Sequence, residues 1–455
     1  MGDRRAIPTE TSHLERRDRA VLVGMDRGST DWPLEESLSE LERLAQTAGA
    51  DVVGKLTQKM DRPNPRTFIG KGKAEEVLEM VKELDATLVI FDDDLTPSQQ
   101  ANLENMIPET KIADRTGLIL DIFALHATSR EGKLQVELAQ MEYLLPRLRG
   151  LWRHLDKYAG GGVMTRGPGE SQLETDRRLA RHRISELKRD LKGVSGEREL
   201  QRKSRSRSGV YRVALVGYTN AGKSTLLNAI TGAGVLQADM LFATLDSTTR
   251  RLALPEGREI TLTDTVGFIH KLPHGLVEAF KSTLDEVREA DLMLMVTDAG
   301  TSQREAQMLA VREVLQEIGA AEGPSVTVFN KVDTMTAEER ASLELRYPAA
   351  LFVSGLVGQG IDTILSRIAE EASRGSVTMT ALVPYTRGDL VRLAHERAQI
   401  LSERHTGEGT QLVLRVDREL AGRFGEFEVQ GSAQAMGAEP AQKAADEADR
   451  ASTDA

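Results

Sequence analysis

The run Gly217-Tyr218-Thr219-Asn220-Ala221-Gly222-Lys223-Ser224 has the spacing GxxxxGK[ST]. It lies directly after the apolar stretch Val213-Ala214-Leu215-Val216 and before a helical pattern opening at Thr225. A strand, a glycine-rich turn and a helix start in that order cradle phosphate, because successive backbone N–H groups point at its oxygens. The pattern predicts Lys223 on the β- and γ-phosphates and the Ser224 hydroxyl on Mg²⁺. Asp264-Thr265-Val266-Gly267 closes a second apolar run. Asp264 is expected to hold Mg²⁺ through a water, and the Gly267 N–H to sense the γ-phosphate. Thr248, with Thr249 as its neighbour and rival, is the candidate for the threonine that closes over that phosphate. The expected metal set is therefore Ser224, Thr248 and Asp264, and the expected catalytic set Lys223, Thr248 and Gly267. Asn330-Lys331-Val332-Asp333 follows the apolar run Val326-Thr327-Val328-Phe329. A carboxylate at Asp333 can accept from both N1–H and the exocyclic amine of guanine, a donor pair that adenine lacks. Ser354-Gly355, after Leu351-Phe352-Val353, is expected to complete the base loop. These motifs in this order predict a Mg²⁺-dependent GTPase.

Phe268 follows Gly267, where Ras-like GTPases place a glutamine that orients the attacking water. A phenyl ring cannot hold water by hydrogen bonding. Either Phe268 is only packing, or intrinsic turnover is slow and a partner or a switch rearrangement supplies the missing group.

The elements that must position these residues divide the chain into several domains, predicting a multidomain α/β protein. Residues 1–19 look like a disordered arm. Over 20–125, apolar runs such as Val21-Leu22-Val23 and Thr87-Leu88-Val89-Ile90-Phe91 alternate with helical segments, the pattern of an α/β domain with a parallel sheet. In 126–200, Leu134, Leu138, Met141, Leu145, Leu148 and Trp152 form one helical stripe. Leu173, Ala180, Ile184, Leu187 and Leu191 form another, which predicts an antiparallel helical hairpin kinked at Pro146. Between the stripes lies a loop from Gly160-Gly161-Gly162 to Gly167-Pro168-Gly169. A basic linker is expected at 201–209, the GTPase domain, built on a mostly parallel sheet, at 210–375, a small α+β domain at 376–430, and a disordered acidic tail at 431–455.

With 455 residues, 28% charged and 40% hydrophobic, the composition is that of a globular protein of several domains. The absence of cysteine excludes disulfides, thiolate zinc sites and thiol catalysis, and agrees with a cytoplasmic setting. No run approaches the ~20 apolar residues of a membrane span; peripheral membrane association stays open. A net charge of −11 argues against a uniformly basic coat, yet Arg147, Arg149, Arg153, Lys157 and Arg166 gather before or within the loop. Arg177, Arg178, Arg181, Arg183, Lys188 and Arg189 follow it. Such a cluster suits either phosphate binding or a solvated helix face.

Beyond the nucleotide motifs, the chain resembles the HflX family of ribosome-associated GTPases over about 20–430. The resemblance rests on Asn64-Pro65-Arg66-Thr67-Phe68-Ile69-Gly70-Lys71-Gly72-Lys73 and Asp114-Arg115-Thr116-Gly117-Leu118-Ile119-Leu120-Asp121-Ile122-Phe123. It rests also on the loop, which continues through Glu170-Ser171-Gln172-Leu173-Glu174-Thr175-Asp176, and on Phe242-Ala243-Thr244-Leu245-Asp246. The resemblance implies a partner, the large ribosomal subunit with its RNA, met by the loop at 160–169 and the basic hairpin, and it implies ribosome splitting. An assembly checkpoint and an RNA-modifying enzyme with a regulatory GTPase domain are the alternatives. A monomer is expected. Lys71 and Lys73 could hold a second phosphate, or simply flank a turn before a helix, and His274 could act as a switch residue or a structural one.

Overall fold

The computed structural model describes residues 17–28, 32–148, 168–206, 210–232, 241–255, 258–271, 273, 281–374 and 376–429. The chain divides into two compact units. The first, residues 1–199, 212–252 and 261–364, carries two sheets.

The N-terminal sheet comprises β1 (Arg19–Asp26), β2 (Asp51–Lys59), β3 (Leu88–Phe91) and β4 (Lys111–Asp114) in the order β2-β1-β3-β4. All its pairings are parallel. Val21, Leu22, Val23, Val89, Ile90 and Phe91 are fully buried, as central strands covered by helices on both faces require. The covering helices are α1 (Leu34–Thr47), α2 (Lys71–Glu83), α3 (Pro97–Met106) and α4 (Arg115–His126). A capping box between Thr96 and Gln99, with Pro97 at the first helical position, starts α3. Asp114 caps α4 by accepting from the Gly117 N–H. The short β4 escapes sequence reading because Lys111 and Asp114 hide its two apolar residues.

Ser129 caps α5 (Arg130–Leu144). At the expected interruption by Pro146, α5 ends at Leu144, residues 145–147 form a turn, and Leu148 is helical again. Proline has no N–H to donate to the carbonyl four residues back, and a turn closed by Arg147 N to Leu144 O at 2.8 Å follows. Trp152 and residues 160–167 of the glycine-rich loop lie outside the described residues, while Pro168 and Gly169 are already helical. The next helix, α6 (Pro168–Ser206), runs on through most of the expected basic linker. No proline interrupts it after Pro168, and Gly193 and Gly196 cost only ~1 kcal/mol each in a helix. Glu137 pairs with Arg183 at 2.7 Å and Glu142 with Lys188 at 2.8 Å. The two pairs advance together, so α5 and the middle of α6 run in the same sense. Over this stretch the antiparallel arrangement expected from the two apolar stripes does not hold.

The second sheet has six strands in the order β10-β9-β8-β5-β7-β6. They are β5 (Tyr211–Gly217), β6 (Thr248–Ala253), β7 (Glu259–Asp264), β8 (Leu292–Asp298), β9 (Ser325–Asn330) and β10 (Leu351–Phe352). The pairings of β5 with β8, β8 with β9 and β9 with β10 are parallel. Its helices are α7 (Lys223–Thr231), α8 (Lys281–Arg288), α9 (Arg304–Glu317), α10 (Ala337–Arg346) and α11 (Ile361–Ser373). One hydrophobic cluster joins Leu118, Ile119 and Phe123 of α4 to Phe242, Leu245, Val266 and Phe268 of the GTPase domain.

The second unit, residues 200–211, 253–260 and 365–455, holds a three-stranded antiparallel sheet. It is built from β11 (Ser376–Val383), β12 (Gln399–His405) and β13 (Thr410–Asp417) in the order β11-β13-β12, with α12 (Gly388–Arg397) and α13 (Arg418–Phe424) packed on it. The alternating inward residues Leu412, Leu414 and Val416 form its core, the small α+β domain expected from the sequence. No described helix is long and apolar enough to cross a membrane.

Candidate functional site

The site forms where β5, β7 and β9 end. Gly222 caps α7 in the left-handed region at φ +86°, which only glycine adopts without strain. Lys223 begins the helix, and its buried Nζ donates to the carbonyls of Gly217 at 3.2 Å and Tyr218 at 2.9 Å. Burial pulls its ammonium down to about 8, against the opposing pull of Asp264. A phosphate entering the loop would restore the missing negative charge.

Ser224 Oγ donates to Asp264 Oδ2 at 2.6 Å. Thr244 Oγ1 donates to the same oxygen at 3.1 Å and lies 2.8 Å from Ser224 Oγ. Burial raises the Asp264 carboxyl, while Lys223, Ser224 and Thr244 hold it down. Its other oxygen, Oδ1, is buried without a protein partner. The threonine that meets Ser224 and Asp264 is thus Thr244 rather than Thr248. Thr248 opens β6, and its neighbour Thr249 spends its hydroxyl on Thr263 at 2.9 Å. Strand pairing commits both to the sheet, whereas Thr244 stays in the preceding loop. The spacing of a Thr-Thr pair concealed this, and the only available pointer was Thr244 within Phe242-Ala243-Thr244-Leu245-Asp246.

Gly267 lies against the phosphate loop: a Cβ there would stand 2.8 Å from Thr219 Cα and 3.0 Å from Lys223 Nζ. The next residue continues β7 alongside β5, with Thr219 N donating to Phe268 O at 2.7 Å and Phe268 N to Gly217 O at 3.1 Å. The Phe268 side chain is fully buried. Thr265 spends its hydroxyl on Leu215 O at 2.7 Å and Val266 lies in the core, which leaves only their backbones to face a ligand.

At the base end, Asn330 Nδ2 donates to Ala221 O at 2.9 Å, and its Oδ1 accepts from Gly355 N at 2.9 Å. One side chain therefore fastens β9 to both the phosphate loop and the Ser354-Gly355 turn. Lys331 sits at φ +65° and pairs with Asp298 at 2.8 Å, a partner the sequence did not single out. Asp333 is exposed and open to a base, while Ser354 is buried, its N–H on Gln359 O at 2.9 Å.

Tyr218 turns away from the phosphate site. Its hydroxyl donates to Glu40 Oε1 of α1 at 2.5 Å and accepts from His270 N at 2.6 Å. Arg115 of α4 is fully buried beside them, on Glu40 at 2.9 Å, Asp92 at 3.1 Å and His270 O at 3.0 Å. Lys271 pairs with Asp92 at 2.6 Å and Asp93 at 2.9 Å. Neither Glu40 nor Arg115 carried a functional reading in the sequence. His274 and Leu272 lie outside the described residues.

Residues 35–124 match the family described as GTP-binding GTPase N-terminal, 126–205 the GTP-binding GTPase middle region, and 212–331 the family named 50S ribosome-binding GTPase. The chain is 46% identical to the GTPase HflX of Caldanaerobacter subterraneus subsp. tengcongensis over 411 residues, covering 90% of this chain and 94% of that protein. It is 45% identical to the GTPase HflX of Lacrimispora saccharolytica over 409 residues, 89% of this chain and 95% of the relative. The GTPase HflX of Escherichia coli (strain K12) is 46% identical over 357 residues, 78% of this chain and 83% of its own length. With phosphate loop, Asp-x-x-Gly turn and Asn-Lys-x-Asp loop converging on one site, the chain belongs to the HflX family of GTPases, which bind GTP and hydrolyse it to GDP and phosphate.

Proposed function

We propose that this GTPase acts on the large ribosomal subunit, docking through its middle region and using the GTP-bound state to split or recycle ribosomes. The match of 212–331 to a family named for binding the 50S ribosome carries this reading. The charge on α6 supports it: Arg178, Arg181 and Arg189 are exposed and available to phosphates. Three members of the expected basic set are engaged by groups of the protein itself, among them Lys188, which pairs with Glu142 at 2.8 Å. Arg147 is held by Asp114 at 3.2 Å and Leu95 O at 2.7 Å, and Arg183 by Glu137.

In hydrolysis Lys223 would exchange its two loop carbonyls for the β- and γ-phosphate oxygens. The Gly267 N–H would sense the γ-phosphate, and Asp333 would select guanine. The hard oxygens of Ser224, Thr244 and Asp264, with Asp264 Oδ1 unpartnered, fit Mg²⁺. When bound, this ion supplies charge neutralisation to the phosphates. Phe268, buried in the core, offers the attacking water nothing, so the ribosome is expected to stimulate turnover.

The test is sedimentation of intact ribosomes with the protein plus GTP, GDP or a non-hydrolysable analogue, alongside a variant lacking 160–169. GTP-dependent subunit separation that the deletion abolishes supports the proposal. Binding confined to precursor subunits would favour the assembly checkpoint and overturn splitting.

A further inference from the structure

Two residues beyond Thr244, the half-buried Asp246 leaves the GTPase domain and grips a helix of the middle region. Its carboxylate accepts from Thr128 N at 2.9 Å, Thr128 Oγ1 at 2.6 Å, Ser129 N at 2.7 Å and the Ser129 hydroxyl. Ser129 is the N-cap of α5 and itself accepts from Gly132 N at 2.9 Å. An aspartate from over a hundred residues away thus adds a second acceptor shell to this helix start, where the helix dipole favours negative charge. A Cβ at Gly132 would collide with Asp246 Oδ1, so the close approach needs glycine there. Burial would raise the Asp246 carboxyl, but the donors from Ser129 and Thr128 outweigh it and hold it below its ordinary range.

The short segment bearing Asp246 is anchored at several points. Thr244 meets Ser224 and Asp264, Leu245 is buried, and Phe242 packs edge-on against Phe123 of α4 with ring centroids 4.7 Å apart. From its capped end α5 runs to Glu137 and Glu142, which hold Arg183 and Lys188 of α6, the helix with the exposed arginines. We propose that Asp246 is a positioning residue for GTP hydrolysis: by clasping the α5 N-terminus it sets Thr244 over the γ-phosphate, linking the nucleotide site to the middle region. This rests on the reading of Thr244 above. It gives a route between the two that bypasses the C-terminal end of α6.

The experiment compares GTP turnover by full-length Asp246→Ala, Ser129→Ala and the double variant, with Thr244→Ala as reference. Asp246→Ala is expected to lower kcat on the order of tenfold, within the range of couplings between contacting residues, with KM for GTP little changed. Ser129→Ala, outside the GTPase domain, should lower kcat in the same manner. The double variant should be no worse than Asp246→Ala alone. A fall in melting temperature with kcat intact, or losses that multiply, would overturn the coupling. So would an increase in kcat. An unaffected Thr244→Ala would instead sink the reading of Thr244, which separates the two failures.

Discussion

Two polar clasps hold the GTPase domain, one from the middle region at Thr128 and Ser129 and one from the N-terminal region at Arg115, and they are built on opposite principles. Around Asp246 a single half-buried carboxylate takes four donors from Thr128 and Ser129, and Thr128 is itself exposed. Around Arg115 a buried network of Glu40, Asp92 and Tyr218, joined from the surface by Lys271, holds the backbone of His270, with Arg115, Glu40 and Asp92 each at most 3% exposed. Breaking a pair in a buried charge network leaves an uncompensated charge in a low dielectric, whereas donors at a half-exposed cap can turn to water. The segment after Gly267 is therefore gripped firmly and the segment after Thr244 lightly. Burial thus separates a firmly held segment from a lightly held one.

The contrast can be broken most severely at Arg115. Arg115→Met strands Glu40 beside Tyr218 and takes one of two cationic partners from Asp92. The expected loss of stability is about 3–5 kcal/mol by denaturant unfolding. A loss no larger than that of Asp246→Ala would remove the asymmetry. Tyr218→Phe is milder. It deletes one hydroxyl, leaving Glu40 Oε1 and the His270 N–H without their partner, and should cost ~1–3 kcal/mol. A neutral result would mean that water replaces the hydroxyl.

The smallest effect concerns pH. Burial, then the neighbouring Arg115 and Lys271, bring the His270 imidazole down to about 4, with Asp92 and Asp93 opposing. Its ring is stacked on Trp32 with centroids 4.4 Å apart. Because the folded state prefers the neutral ring, its stabilising contribution is present above the ordinary value of 6.5 and is lost as pH falls toward 4. Unfolding midpoints measured from pH 7 down to 4.5 should fall less steeply for His270→Gln than for the parent chain. Identical slopes would show that His270 titrates normally.

Much of the nucleotide site is legible in the chain because its chemistry is done by consecutive residues. The turn from Gly217 to Ser224 needs glycine at a left-handed position and a lysine at the helix start, and both requirements are local. The same holds for Asn330 to Asp333 at the end of β9. Legibility fails where a residue's role depends on its distant neighbours. The sequence offers Thr248 with Thr249 as its rival, and only the folded chain, with β6 paired to β7, brings Thr244 to Asp264 instead. The helical content of 201–206 was hidden by an arginine-serine composition that suits a linker as well as a helix.

By itself the sequence determined that this protein handles GTP, since phosphate and guanine recognition are written in short contiguous motifs whose backbone geometry follows from residue type. Tertiary structure decided which threonine faces Asp264 and what grips the segments that follow Thr244 and Gly267. Arg115 lies 155 residues from His270 and Tyr218 178 from Glu40. A buried charge acquires its partners only when the chain closes around it, and no local pattern specifies which distant group that will be.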